Sequence, residues 1–214
     1  MISLILLSAG EGKRFGKKKQ FEKLLGKPIY MHSLERLLDT FDETLLVLSQ
    51  EDMDSVSVPQ KVKKVLGGKE RQHSVFNALL ESGGDVVVIH DCARPFASKE
   101  LFYKVAQLGD HDGKICGVPV RDTVKKVFQD TVLETIDRSG LWLSQTPQAF
   151  KRSVLLECHL RSKEEGFLST DDAQLLERYG YKVGIVLGEF TNIKITYPED
   201  LLLAESVGKL LGYC

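Results

Sequence analysis

The sequence predicts an α/β fold: a mainly parallel sheet covered by helices on both faces. Apolar, strand-length runs recur through the first 120 residues, and helix-like stretches fill several of the gaps between them. Glycine-rich or polar motifs follow three of these runs. In such sheets ligands bind beyond the carboxyl ends of the strands, where the chain reverses its winding.

The first strand, Ile2 to Leu7, breaks into Ser8-Ala9-Gly10-Glu11-Gly12-Lys13-Arg14-Phe15 and then Lys17-Lys18-Lys19-Gln20. A strand that runs into a small-residue loop with cations just beyond suits a nucleoside triphosphate, because backbone can wrap phosphate and positive charge can hold it. The stretch has neither the Gly-Lys-Ser/Thr ending of a Walker loop nor the three glycines of a dinucleotide fingerprint. A tight turn followed by a solvated lysine run fits the same residues. Pro28 opens a helix whose Met31, Leu34 and Leu38 recur at helical spacing. Further strands are Thr44 to Leu48, Lys61 to Leu66, Asp85 to His90 and Lys114 to Val120, and Ser98 caps a helix through Leu101 and Val105.

Gly67-Gly68-Lys69-Glu70-Arg71 follows the third strand. It reads either as an ordinary turn into a helix or as backbone that approaches a flat base and reads its edge with amide and carbonyl groups. Ser74, about one helical turn beyond Arg71, adds a hydroxyl to that face. His90-Asp91-Cys92-Ala93-Arg94-Pro95 closes the fourth strand. Asp91, just past the run Val86 to Ile89, is placed to hold Mg²⁺, a hard cation that takes few protein oxygens and leaves the rest of its shell to water and phosphate. Capping the next turn, or pairing with Arg94, are the structural alternatives. Three such strand ends on one sheet edge can build one crevice.

At 214 residues, 43% hydrophobic and 28% charged, the chain can bury a substantial core in one large or two small domains. A net charge of -1 supplies no global basic field, which argues against a nucleic-acid partner. The opening apolar run is too short for a signal peptide, and no stretch is long enough to span a bilayer, so no membrane association and a cytoplasmic location are expected. Cys92, Cys116, Cys158 and Cys214 form no C-x-x-C pair and are expected as reduced thiols. The dispersed His32, His73, His90, His111 and His159 offer no imidazole metal site.

Thr123 to Phe128 and Thr131 to Ile136, joined by Gln129-Asp130, read as a hairpin that needs a partner surface. Lys194 lies in Asn192-Ile193-Lys194-Ile195-Thr196, where a solvated lysine on an edge strand is one reading. Pro198-Glu199-Asp200 starts a helix that Thr196 helps to cap.

The segments SAGEGKRF, KKKQF, GGKERQHSV, HDCARPF, PVRDTVKK, DRSGLWLSQTPQAF, TDDAQLLE and NIKITYPEDLLLAE together resemble the cytidylyltransferases that act on 2-C-methyl-D-erythritol 4-phosphate, in order and over nearly the whole chain. The resemblance implies one Rossmann-like nucleotidyltransferase domain over residues 1–214, with a projecting β-arm at about 122–141 that crosses to a second subunit and forms a homodimer. It implies transfer of a cytidylyl group from CTP to the polyol phosphate, with Mg²⁺ and without a covalent enzyme intermediate. By similarity the catalytic residues are Arg14, Lys19, Arg138 and Lys194, and Asp91 is the metal ligand. Ala9, Gly10, Gly12, Gly68, Lys69, Ser74, Asp91 and Cys92 would bind nucleotide. Asp91, Arg94, Thr123, Arg138, Thr146, Thr170 and Lys194 would bind the acceptor, with Arg138 and Thr123 supplied by the other subunit. Taken alone, Arg138 could also be an exposed ion-pair partner, and Thr146 and Thr170 could be helix caps.

Lys18 stands where the family usually has proline, which leaves the register open among Lys17, Lys18 and Lys19; Gln20-Phe21 favours Lys19. Cys92 replaces a small residue and Lys69 an often acidic one, at contacts expected to be main-chain. The nearest alternative is a cytidylyltransferase of ribitol 5-phosphate; PVRDTVKK and DRSGLW favour methylerythritol phosphate. A nucleotide-binding regulatory module would keep the base loop and lack the cations Arg14, Lys19 and Lys194, which are all present. A dinucleotide-dependent oxidoreductase lacks its fingerprint here.

Overall fold

The computed structural model describes residues 1–213; Cys214 lies outside the described residues. In chain order the elements are β1 (Ile2–Leu7), β2 (Lys23–Leu24), β3 (Lys27–Pro28), α1 (Ile29–Leu37), β4 (Glu43–Leu48), β5 (Val62–Leu66), α2 (Arg71–Glu81), β6 (Val86–Asp91), α3 (Lys99–Ala106) and β7 (Gly113–Pro119). They continue with β8 (Val124–Phe128), β9 (Thr131–Ile136), β10 (Trp142–Lys151), α4 (Arg152–Glu165), α5 (Asp172–Arg178), β11 (Val183–Leu187) and α6 (Asp200–Leu210).

Seven strands form one sheet in the order β11-β7-β10-β6-β1-β4-β5. Four of its pairings are parallel, and β10 alone runs antiparallel to both neighbours, so the expected mainly parallel α/β sheet is present. From β1 the chain builds outward through β4 and β5, then returns to place β6 on the other side of β1. The winding therefore reverses at β1, which opens a crevice beyond its carboxyl end.

Alternation along β1 divides the core between two faces. Leu4 and Leu6 pack with α1 and α3 through Leu34, Leu37, Leu101 and Phe102. Ile5 packs with α2, α4 and α5 through Val75, Leu79, Leu155, Leu175 and Leu176. Burial on both faces explains the near-continuous apolar strands, each large side chain contributing about 1.5–3 kcal/mol. A third cluster, with Phe15, Leu24, Ile29, Phe96, Ile195 and Ala204, seats the N-terminal loop and α6 against each other.

Several boundaries differ from expectation. Pro28 keeps an extended ψ of 141°, so α1 begins at Ile29 and the proline stands just outside it. Asp91 is the last residue of β6, one position beyond the expected strand end. Residues 192–197 belong to no strand, so Lys194 does not sit on a sheet edge. Thr196 does not cap α6 with its hydroxyl, which donates to Lys194 O at 3.2 Å; the Asp200 carboxylate instead accepts the Thr196 and Tyr197 amides at 2.7 and 2.8 Å.

β8 and β9 pair only with each other, as an antiparallel ribbon separate from the main sheet. Val127, Phe128, Val132 and Leu133 on this arm are each more than half exposed. An isolated two-stranded ribbon with its apolar side chains in water is marginal by itself.

Candidate active site

Local geometry of the first loop follows from two residues. Gly12 has φ +67°, and a Cβ there would lie 1.8 Å from Lys17 O, so the tight turn requires glycine. Its carbonyl accepts the amides of Phe15 and Gly16. The buried Gln20 carboxamide donates to Ser8 O and Gly10 O, both at 3.0 Å, and ties the loop to the turn that follows the lysines.

That turn sorts the three lysines. Lys17 Nζ pairs with Glu22 at 2.8 Å, and Lys18 Nζ is held by Ser49, Glu51 and Asp52 at 2.9–3.1 Å. Only Lys19 of the three lines the hollow. Burial, with Lys194 and Arg14 adding repulsion against a weaker pull from Asp91, lowers its ammonium pKa to about 8. Arg14 stands over the Tyr197 ring, its guanidinium carbon 5.9 Å from the centroid, which links the first loop to the Lys194 segment.

The second loop approaches the first closely. A Cβ on Gly67 would fall 2.5 Å from Ala9 Cβ, and one on Gly68 would fall 2.3 Å from His73 Cβ. The Gly68 amide donates to Ser74 Oγ at 3.0 Å, while that hydroxyl donates back to Glu70 O at 3.2 Å. Ser74 therefore braces the loop as well as lining the hollow.

Asp91 is the electrostatic centre. Its Oδ2 accepts from Lys194 Nζ at 2.6 Å and its Oδ1 from Arg71 Nε at 3.1 Å. Burial alone would raise this carboxyl, but Arg71 and Lys194 outweigh it and hold the group ionised, well below the usual carboxylate range. Arg71 also donates to Asp172 at 2.7 Å; burial opposes its charge, yet the two carboxylates raise its already high pKa. The strand end is fixed from behind by Thr146, whose hydroxyl accepts the Asp91 amide at 3.1 Å and meets the ring of His90 at 3.1 Å. Burial drops the His90 pKa to about 3, so its ring is a neutral strut.

The Lys194 segment is anchored by the chain rather than by sheet pairing. Ile195 N donates to Ala93 O at 2.9 Å, and Arg94 donates to Asn192 O at 2.7 Å. Asn192, fully buried, donates to Thr146 O at 2.9 Å.

Ala9, Gly10, Gly12, Arg14, Lys19, Gly68, Lys69, Ser74, Asp91, Cys92 and Lys194 all line one hollow of about 680 Å³. Burial pushes the Cys92 thiol far up, leaving it an uncharged wall. Arg94 lies behind this wall on backbone carbonyls, and burial lowers its pKa; it does not pair with Asp91 through a hydrogen bond. Thr146 is buried behind the strand, and Thr170 is exposed with its amide on Gln174 at 2.8 Å. Thr123 and Arg138 are exposed at the root of the arm, where Arg138 donates to Arg121 O. None of these five reaches the hollow within this chain. Gln20, Arg71, Asp172 and Asn192 escaped sequence reasoning as site-building residues. Gln20 and Arg71 carried a local signal, in their places beside the lysines and in the glycine-rich strand end; Asp172 and Asn192 act through partners about a hundred residues away.

A strand-end loop that offers backbone and cations to phosphate, a glycine pair beside it and an ionised carboxylate facing both define a nucleotidyltransferase. The family described as "IspD: 2-C-methyl-D-erythritol 4-phosphate cytidylyltransferase" matches residues 2–209, and the chain belongs to it. A curated relative of that name from Aquifex aeolicus is 58% identical over 99% of this chain and 98% of its own length. Another from Bacillus mycoides is 45% identical over 96% of this chain and 97% of its own. Among solved structures, the 4-diphosphocytidyl-2C-methyl-D-erythritol synthase of Anaerococcus prevotii aligns with a TM-score of 0.87 at 31% identity, covering 98% of this chain and 96% of that one. The cytidylyltransferase of Thermus thermophilus aligns with a TM-score of 0.83 at 31% identity, covering 96% of this chain and 98% of that one.

Proposed function

We propose that this hollow transfers a cytidylyl group from CTP to 2-C-methyl-D-erythritol 4-phosphate, giving 4-diphosphocytidyl-2-C-methyl-D-erythritol and pyrophosphate. The observation that carries the reading is the meeting of Arg14, Lys19 and Lys194 around one hollow with an ionised Asp91, within a full-length family match. In this reading a phosphate oxygen of the acceptor attacks the α-phosphorus in line and pyrophosphate leaves. The protein then mainly has to position two anions and stabilise spreading negative charge.

Arg14 offers a planar fork to phosphate oxygens, and Lys19 a point charge at the loop that wraps the triphosphate. Ala9, Gly10 and Gly12 present backbone to the phosphates, while Gly68, Lys69, Ser74 and Cys92 flank the cytidine. Lys194 serves the acceptor phosphate. Asp91 fits Mg²⁺: its hard oxygens are ionised and already draw two cations, and a magnesium site completed by phosphate and water needs few protein ligands. When bound, that ion would neutralise triphosphate oxygens. The described residues hold no group of three or more His, Cys, Asp and Glu side chains able to bind a metal by themselves.

The exposed arm supports a homodimer in which Thr123 and Arg138 serve the acceptor in the hollow of the other copy. Arg94 and Thr146 support the acceptor side by fixing the Lys194 and Asp91 segments, and Thr170 is assigned to it on the family resemblance alone. The chain functions as one nucleotidyltransferase domain over residues 1–214, in the cytoplasm. Separately, no helix among the described residues is long and apolar enough to cross a membrane.

The test is pyrophosphate release from CTP and Mg²⁺ with methylerythritol phosphate or ribitol 5-phosphate as acceptor. Release with methylerythritol phosphate, at least tenfold faster than with ribitol 5-phosphate, is the expected result. CTP binding without release from either acceptor would overturn the proposal and favour a regulatory module.

A further inference from the structure

Asp91 holds two cations of unequal freedom. Lys194 reaches it from a segment outside the sheet, with a side chain about one-third exposed, and can leave when a better anion or cation arrives. Arg71 cannot leave so readily, because its Nη1 is committed to Asp172 at 2.7 Å while its Nε holds Asp91 at 3.1 Å.

Asp172 is a costly group to bury. It stands at the start of α5, only 1% exposed, and Arg71 is its one hydrogen-bond donor among the described residues. Its second oxygen has no hydrogen bond and faces His159 Nε2 at 3.8 Å, itself without a partner. A buried carboxylate in that position is offset chiefly by this guanidinium, with the positive end of α5 adding a smaller share. Breaking the pair leaves an uncompensated buried charge, so Arg71 stays fixed.

We infer that Asp172 is a positioning residue: through Arg71 it holds Oδ1 of Asp91 in place and leaves Oδ2, the Lys194 side, as the oxygen that can exchange to a divalent cation. This rests on the reading of Asp91 as the metal-carrying carboxylate. Without the Asp172 charge, the whole guanidinium fork becomes free to close on Asp91 and compete with the cation. A bridge of this kind acts on metal affinity in the way outer-shell partners of metal ligands do.

The test is Mn²⁺ binding in the presence of CTP and the absence of acceptor, followed by water proton relaxation. Asp172→Asn is expected to weaken Mn²⁺ binding about tenfold, with CTP binding in EDTA unchanged, and Asp172→Glu to recover most of the loss. An unaltered Mn²⁺ titration in a folded Asp172→Asn protein would overturn the inference, even if its melting temperature fell. Should that variant not fold, Arg71→Lys keeps the buried charge but cannot bridge two carboxylates. With no fork left to compete, it is expected to weaken Mn²⁺ binding through the lost hold on Oδ1 alone, and wild-type Mn²⁺ binding by it would overturn the bridge. Asp91→Asn separates the two levels. Wild-type binding by that variant removes the metal-carrying role and the inference with it, whereas weak binding there beside normal binding in Asp172→Asn removes the inference alone.

Discussion

Replacing Lys19 with methionine should make the protein more stable and much less active. Burial and the neighbouring Lys194 and Arg14 bring this ammonium from 10.5 to about 8, so the folded state carries it at a cost near neutral pH. The drop corresponds to a ceiling of about 3 kcal/mol, and solvent in the open hollow discounts it to about 1–2 kcal/mol. For a chain of this size that is about 2–8 °C in melting temperature. The pH dependence has a definite sign. Below about pH 8 both folded and unfolded chains keep the proton, and the full cost is present. As pH rises from about 8 to 10.5 the folded state releases the proton first, so the unfolded state binds more protons and wild-type stability gains on the variant. Urea unfolding of both proteins at pH 7, 8, 9 and 10 should show a gap that favours methionine at pH 7 and closes with rising pH. Pyrophosphate release should fall at least a hundredfold. A methionine variant less stable than wild type at pH 7, or a gap equal at pH 7 and pH 10, would refute the account of Lys19 as a strained cation.

CTP binding should take up a proton at Lys19, so the affinity measured by calorimetry should decline above pH 8, approaching tenfold per pH unit. Asp91→Asn leaves Arg71 and Lys194 facing a neutral amide and should cost about 3 kcal/mol in urea unfolding, besides abolishing turnover. Gly68→Ala drives a Cβ to 2.3 Å from His73 Cβ at the start of α2, so the KM for CTP should rise about tenfold or more while kcat falls less. Arg138→Ala should weaken turnover of methylerythritol phosphate while calorimetry finds CTP binding intact; lost CTP affinity with unchanged turnover would remove its assignment to the acceptor.

What was legible in the sequence was what is local. The loops at Gly10–Arg14 and Gly67–Arg71 and the acid at Asp91 announce themselves because strand, turn and helix onset lie within a few residues of one another. The direction of β10 was not legible, because it is set by pairing with β6 and β7, and Pro147 interrupts its pattern at a register shift between Gln145 and Gln148. The choice among Lys17, Lys18 and Lys19 was narrowed by Gln20-Phe21, but their separation is made by Glu22 beside the run and Asp52 on another loop. The longest gaps hid the most. Asp91 meets Lys194 across 103 residues and Arg71 meets Asp172 across 101, and no periodicity in either segment signals such a partner.

The antiparallel course of β10 has one more effect. Its Trp142 end pairs with Pro119, the carboxyl end of β7, so the ribbon of β8 and β9 leaves from the same side of the sheet as the hollow. A body that grips the ribbon therefore approaches the sheet from its carboxyl edge, the edge that carries the hollow. If the gripping body is a second copy of the chain, catalysis and assembly share one dissociation constant: specific activity should climb with enzyme concentration and level off once the copies are matched in pairs.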